Sequence, residues 1–312
     1  MNIEIYSKEG RVEQIGEETA VTVGVFDGVH RGHQQLLKQL VSVSREQSAA
    51  SLAVSLTAHP SFVLGNRESE YWLDDPEEHL QLLFEAGIKY VAMLPFTKEV
   101  AHMTACEMVR WMYEKLGMRT LLVGYDSRFG SKENDDFRDL PMFSIELGFT
   151  LLRGHPFNVD SEPISSSRIR QTLIDGRVED TAALLGRNYS LSGEVMHGRG
   201  VGHTMGFPTA NIDISHTRKM LPREGVYAVR VKEWKSEKVV EWKSGIANLG
   251  TAPTFGVDST MLEVHLIDYK GDLYGETVTV EFLHRIRDIQ RFDSASELQK
   301  QLNEDIAEAH KW

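Results

Sequence analysis

Apolar positions change their rhythm once, near the middle of the chain. From Ala20 to about Gly154, short β-branched or leucine-rich runs alternate with stretches whose apolar residues recur every three or four positions. The runs at 19–25, 52–56, 90–94 and 120–123 predict strands, being short, apolar and bounded by charges or turn residues. Between them, Leu36, Leu37, Leu40, Val41 and Ser44 keep helical spacing, so a helix starts close to His33. The segment 76–86 predicts a helix with Asp75 as N-cap and Pro76 in its first turn, and 104–116 predicts another. This alternation predicts a Rossmann-like parallel sheet covered on both faces, with ligands at the carboxyl ends of its strands.

A short helix over 178–185 follows, and after Gly186 the period becomes two. Residues 189–195, 226–231, 239–246, 262–267 and 277–282 read as strands with no long helix between them. That pattern predicts a sequential antiparallel meander closed into a β-barrel, because closure removes exposed edges. Leu298, Leu302, Ile306 and Ala309 share one face of a final amphipathic helix, expected to pack on the outside. The fold class is therefore α/β plus β, with domains at 1–184 and 185–312.

Composition narrows the chemistry. At 312 residues two domains are expected, and 41% hydrophobic with 26% charged residues is ordinary for a globular protein. A net charge of -12 argues against nucleic acid or an anionic membrane as partner. A small phosphate ligand needs only a few local donors, so it stays compatible, as does a homo-oligomer. The single cysteine, Cys106, excludes an internal disulfide and suits a reducing cytoplasm. Its place in the 104–116 helix predicts buried apolar filler. No run approaches membrane-spanning length, and the first residues lack the basic-then-apolar order of a secretory leader.

The candidate chemistry starts at Gly24-Val25-Phe26-Asp27-Gly28-Val29-His30-Arg31-Gly32-His33. A strand turning through glycines into a helix N-terminus presents free N–H groups and the positive end of a dipole, which suits an anion. His30 and His33 add two donors in the HxGH form found in nucleotidylyltransferases, which bind ATP and transfer its AMP portion. Thr57-Ala58-His59-Pro60 and the segment from Gly124 through Asp126 and Phe129 to Gly130 fall at the same sheet edge by topology. Farther on, Ser165, Ser166, Ser167 and Arg170 open a helix, and one serine would suffice as cap. Their hydroxyls and the guanidinium offer a second phosphate clamp for the β- and γ-phosphates that leave as pyrophosphate. In the barrel half, Gly198, Gly200 and Gly202 lie in a glycine-rich turn, followed by Gly206, Pro208, Thr209 and Asn211. Glycines allow close approach to phosphates, and the Thr and Asn oxygens suit Mg²⁺. Leu262, Val264 and Leu266 share one strand face, which sends Glu263 and His265 to the other and predicts a solvated carboxylate.

The motifs at 24–33 and 164–170 resemble the adenylyltransferase half of the prokaryotic bifunctional riboflavin kinase/FAD synthetase family. Gly206 to Asn211, Glu224-Gly225-Val226-Tyr227, Asn248-Leu249-Gly250, Pro253-Thr254-Phe255, Asp272-Leu273-Tyr274-Gly275 and the tail from Phe292 resemble its kinase half. The resemblance implies that riboflavin and ATP give FMN, and that FMN and a second ATP give FAD with release of pyrophosphate. It implies that His30 and His33 stabilise charge on the α-phosphate, with Gly24, Phe26, Asp27 and Gly28 shaping the ATP turn. It further implies that Ser166, Ser167 and Arg170 hold the leaving polyphosphate. Thr209 and Asn211 are implied as holding Mg²⁺ and ATP, and Glu263 as accepting the 5′-hydroxyl proton. The flavin side of the first half is implied at His59, Pro60, Asp126 and Phe129. Departures gather there: Ser127 replaces an aromatic, 131–136 is mostly acidic, and only Pro60 remains of a Phe-x-Pro-x-Pro segment. His203 stands where an arginine is common. The alternatives are a chain retaining one activity, with FMN adenylylation the weaker, and a non-catalytic flavin-binding regulator.

Overall fold

The computed structural model describes residues 3–58, 63, 65, 71–125, 139–155, 158–159, 162–197, 207–235, 238–239, 242–252 and 259–312. The chain forms two compact units, Met1–Ser166 and Ser167–Trp312. In the first, β1 (Glu4–Ser7), β2 (Gly10–Val12), β3 (Thr19–Gly24), β4 (Ala50–Leu56), β5 (Tyr90–Leu94), β6 (Met118–Val123) and β7 (Thr150–Arg153) make one sheet, ordered β2-β1-β5-β4-β3-β6-β7. Strands β5-β4-β3-β6-β7 are parallel, as the alternation of elements predicts. The β1–β2 hairpin adds antiparallel to the β5 edge, an extension that periodicity misses because its strands have only four and three residues. A separate ribbon pairs β8 (Asn158–Val159) with β9 (Glu162–Pro163).

Each central strand alternates its side chains between two cores. Val21, Leu52, Val54 and Ala92 face α3 (Lys98–His102), α4 (Ala105–Lys115) and α5 (Leu140–Leu147) through Val100, Met108, Met112 and Phe143. Their neighbours Ala20, Ala53, Val91 and Leu122 face α1 (Arg31–Glu46) and α2 (Pro76–Glu85) through Leu37, Leu40 and Leu83. Burying each leucine is worth about 1.5–3 kcal/mol, so both faces of the sheet are firmly held. Cys106 is half-buried against the first core rather than fully buried. Asp75 holds the N-cap position of α2 without a side-chain capping bond, whereas Thr104 and Glu107 form a full capping box on α4.

In the second unit, α6 (Ser166–Ile174, its first residue belonging to the first unit) and α7 (Val178–Leu185) precede the strands. These are β10 (Tyr189–Met196), β11 (Ala210–Ile212), β12 (Gly225–Lys235), β13 (Lys238–Val239), β14 (Lys243–Ala252), β15 (Ser259–Leu266) and β16 (Thr277–Arg287). The ring β12-β14-β15-β11-β10-β16 closes through β12–β16, and β13 forms a hairpin on β12. Closure agrees with expectation, but the meander does not: β11 pairs with β15 and β16 lies between β10 and β12. Alternation identifies the face of a strand and not its neighbours, and β11 has only three residues to announce it. The strand expected at 239–246 instead divides into β13 and β14. Helix α8 (Ala295–Ala309) lays Leu302, Ile306 and Ala309 on the outward Ala228 and Ile246 of the barrel.

Candidate active sites

The first site lies where the parallel order reverses, with β4 on one side of β3 and β6 on the other. Such a switch point opens a crevice at the strands' carboxyl ends. A cavity of about 290 Å³ occupies it, lined by Gly24 and Phe26 after β3 and by Gly124 and Tyr125 after β6. His30, His33 and Ser166 complete its polar wall.

Residues 27–29 form a 3₁₀ turn with Gly28 at φ 78, the left-handed conformation that glycine tolerates. Phe26 (φ 49) and Val29 (φ 35) adopt the same region, at a cost of about 1–3 kcal/mol each. The turn is held by two reciprocal bonds: Leu73 N–H donates to Asp27 Oδ1 (2.8 Å) and Gly28 N–H donates to Asp74 Oδ2 (3.1 Å). Ser166, the last residue of the first unit, donates from Oγ to the Asp27 carbonyl (3.0 Å).

His30 caps α1, its Nδ1 accepting from His33 N–H (3.3 Å). An imidazole that accepts at Nδ1 is protonated at Nε2, so Nε2–H is its donor. The two rings stack, and His33 meets Phe26 in a T-shaped contact. Nδ1 of His33 is buried with no hydrogen-bond partner. Burial, with His30 and His79 nearby, holds the His33 imidazole well below the usual histidine range, so it sits neutral. Ser167 and the buried Arg170 lie in the first turns of α6, within the second unit. His59, Pro60, Asp126 and Phe129 lie outside the described residues.

The second site is a cavity of about 340 Å³ between the outer barrel wall and α8. Asn211, Glu263 and Asn248 are direct cross-strand neighbours on β11, β15 and β14, so they point to the same side. Glu263 is on the outward face, as its alternation predicts, but it is half-buried rather than freely solvated, lining a cavity shared with Phe292, Leu298 and Leu302. Burial alone pushes its carboxyl above the ordinary range, toward what a base needs. Thr209 lines the same cavity, and the preceding Pro208 carbonyl pairs with His265 Nδ1 (2.9 Å). Arg287 forks onto Asp305 of α8 (Nε–Oδ1 2.9 Å, Nη2–Oδ2 2.7 Å). Gly198, Gly200, Gly202, His203 and Gly206 lie outside the described residues. Among the described residues no cluster of three His, Cys, Asp or Glu could hold a metal. Thr209 and Asn211 offer two neutral hard oxygens, which fits Mg²⁺ bound largely through substrate phosphates and water.

Comparison with known proteins matches these halves to two families. The FAD synthetase model covers residues 12–168 and the riboflavin kinase model covers 185–312. The bifunctional riboflavin kinase/FMN adenylyltransferase of Escherichia coli (strain K12) is 35% identical over 297 residues, covering 95% of this chain and 93% of that protein. The chain belongs to the bifunctional riboflavin kinase/FMN adenylyltransferase family. It is a transferase carrying both activities, riboflavin phosphorylation and FMN adenylylation, and the one-activity reading falls away. A Haemophilus influenzae relative with the same name is 33% identical over 291 residues, covering 93% of this chain and 92% of that protein. A structure from Streptococcus pneumoniae, solved as a macrolide-efflux protein, shares 30% identity over 96% of each chain with a TM-score of 0.87. Among the described residues of this flavin-family chain, no helix is long and apolar enough to cross a membrane.

Sequence reasoning passed over Asp74 and His79 beneath the first turn and Arg287 beside the second site, and reached Asp305 only as part of the tail that resembles the kinase half. Nothing local announces them. Asp74 gains its meaning from the distant Gly28 N–H, and Arg287 from Asp305 of α8, contacts that appear only after folding.

Proposed function

We propose that residues 1–184 adenylylate FMN and that residues 185–312 phosphorylate riboflavin. The cavity that brings His30, His33 and Ser166 to the switch point of the sheet carries the first assignment. There a phosphate oxygen of FMN attacks the α-phosphorus of ATP, the P–O bond to the β-phosphate breaks, and pyrophosphate leaves. His30 donates from Nε2–H to the α-phosphate. His33, neutral before ligand arrives, gains proton affinity beside the polyphosphate and stabilises charge developing there. By the resemblance of 164–170, Ser166, Ser167 and Arg170 grip the leaving phosphates. The turn from Gly24 through Phe26, Asp27 and Gly28 shapes the pocket. His59, Pro60, Asp126 and Phe129 take the flavin side.

In the second half, Glu263 accepts the proton of the ribityl 5′-hydroxyl as its oxygen attacks the γ-phosphorus and ADP leaves. Mg²⁺, when bound, neutralises phosphate charge, and Thr209 and Asn211 would hold it. Pro208 and the glycines at 198, 200, 202 and 206 let ATP phosphates approach the backbone. The raised carboxyl of Glu263 supports its assignment as base. The ligands are small molecules and the setting a cytoplasm.

Separating products from riboflavin, ATP and Mg²⁺ tests the division. With His30→Ala, FMN accumulates without FAD. With Glu263→Gln, FMN formation from riboflavin slows by about 10²–10⁴-fold while supplied FMN still yields FAD. If either variant loses the other activity instead, the assignment is wrong.

A further inference from the structure

Beneath the nucleotide turn lies a buried polar relay that the chemistry above does not use. Asp74 and His79 are 3% and 5% exposed, and Ser55 is fully buried. Asp74 Oδ2 takes two bonds, from Gly28 N–H (3.1 Å) and from His79 Nδ1 (3.1 Å). His79 Nδ1 faces the acceptor-only carboxylate as donor, and its Nε2 pairs with the Ser55 hydroxyl (2.8 Å). The same hydroxyl lies 3.4 Å from the Val25 carbonyl, one residue past β3. The relay therefore starts and ends on the two flanks of one short segment, Val25 to Gly28. It joins that segment to the end of β4 and the first turns of α2.

That segment and the residue after it hold backbone that sequence alone would not adopt. Phe26 and Val29 stand at positive φ, and strained residues persist only where their surroundings over-determine them. Two carboxylates supply the restraint from opposite directions, Asp27 on Leu73 N–H and Asp74 on Gly28 N–H. A buried carboxylate is a costly group to keep merely for packing, since an apolar residue of similar volume would fill the space more cheaply. Its charge is used on one oxygen, and Asp74 Oδ1 is buried with no partner.

We propose that Asp74 and His79, backed by Ser55, are positioning residues for FMN adenylylation. They lock the turn so that His30 caps α1 and faces the α-phosphate. The idea rests on the reading of this turn as the ATP site. A relay that loosens shifts the reacting groups by a fraction of an ångström, enough to raise the KM for ATP and lower kcat while the KM for FMN stays.

The full chain provides its own control, because riboflavin phosphorylation is read on the same molecule. Asp74→Ala and His79→Ala are expected to lower adenylylation kcat/KM for ATP by about 100-fold, with kinase activity unchanged. Asp74→Asn keeps an oxygen able to accept both bonds, its amide taking the place of Oδ1. It is expected to stay within about tenfold of the parent, a conservative rescue. His30→Ala serves as the reference for the site itself. If His30→Ala leaves adenylylation intact, the reading of the turn fails. If His30→Ala abolishes it and Asp74→Ala does not, only the relay is overturned. Equal loss in the Asp74→Asn and Asp74→Ala variants, or parallel loss of kinase activity, also overturns it.

Discussion

The rings of His30 and His33 stack with centroids 3.6 Å apart and planes 17° apart, while Nδ1 of the first accepts the backbone N–H of the second. The pair packs its own acceptor inward and leaves His33 poorly solvated, with its proton affinity held well below the usual 6.5. The sign for stability follows. Below pH 6.5 the unfolded chain takes up a proton at this position that the folded chain refuses, so stability falls with pH until the lower folded value is reached. The midpoint of thermal unfolding of the first unit should therefore drop between pH 7.5 and 5.5, and His33→Gln should flatten that drop. Saturating ATP should flatten it too, because the polyphosphate favours the protonated ring. Melting curves at several pH values, with and without ATP, check both.

Glu263 shows the opposite sign. Its folded carboxyl is raised above the ordinary 4.5 by burial, so the stability it contributes is present at low pH and lost as pH rises through the folded value. Glu263→Gln should raise the melting midpoint at pH 7, with the gain shrinking toward acid. The same variant should slow FMN formation by about 10²–10⁴-fold, the usual weight of a general base. Stability gained with activity lost would mark a residue kept for chemistry.

The fork between Arg287 and Asp305 fixes α8 over the kinase cavity. Asp305 is 1% exposed, and Gln301 also donates to it (3.0 Å). Asp305→Ala leaves a half-buried guanidinium without its carboxylate and should cost about 3 kcal/mol. Replacing both partners, with Arg287→Met and Asp305→Leu together, should recover most of that. Denaturant titration of Arg287→Met and Asp305→Leu, singly and together, closes a double-mutant cycle and measures the coupling. Adenylylation of supplied FMN should survive in every one of these variants.

Gly193 on β10 has no room for a side chain. A Cβ there would stand 2.0 Å from the Asp213 carbonyl oxygen, a backbone atom that cannot swing aside. Gly193→Ala should part β10 from β11 and cost about 3 kcal/mol or more. Calorimetry of the variant should show the kinase unit melting earlier, with the first unit unmoved.

The strand–turn–helix at residues 19–46 was legible because one strong local pattern specifies it, a buried run, glycines and a helical repeat. The helices Val178–Leu185 and Ala295–Ala309 were equally plain, since each has an uninterrupted apolar face. Strand β11 was hidden by brevity, and its pairing with β15 is a long-range choice that alternation does not encode. Glu263 was placed on the correct face of its strand, yet its environment depends on α8, some thirty residues later. Asp74 and His79 carry no motif at all. Their meaning comes from meeting Gly28 across 46 residues of chain.

The ring order of the barrel has a consequence for the birth of the molecule. β10 is the first strand of the ring to be made and β16 the last, yet β16 must pair with both β10 and β12. Until it emerges, the growing kinase half is an open sheet with two unsatisfied rims, dependent on contacts nearly a hundred residues apart. The parallel sheet of the first unit has by then been synthesised in full. On the ribosome the chain thus acquires its FAD-forming half before its FMN-forming one, the reverse of the order in which the flavin passes through them.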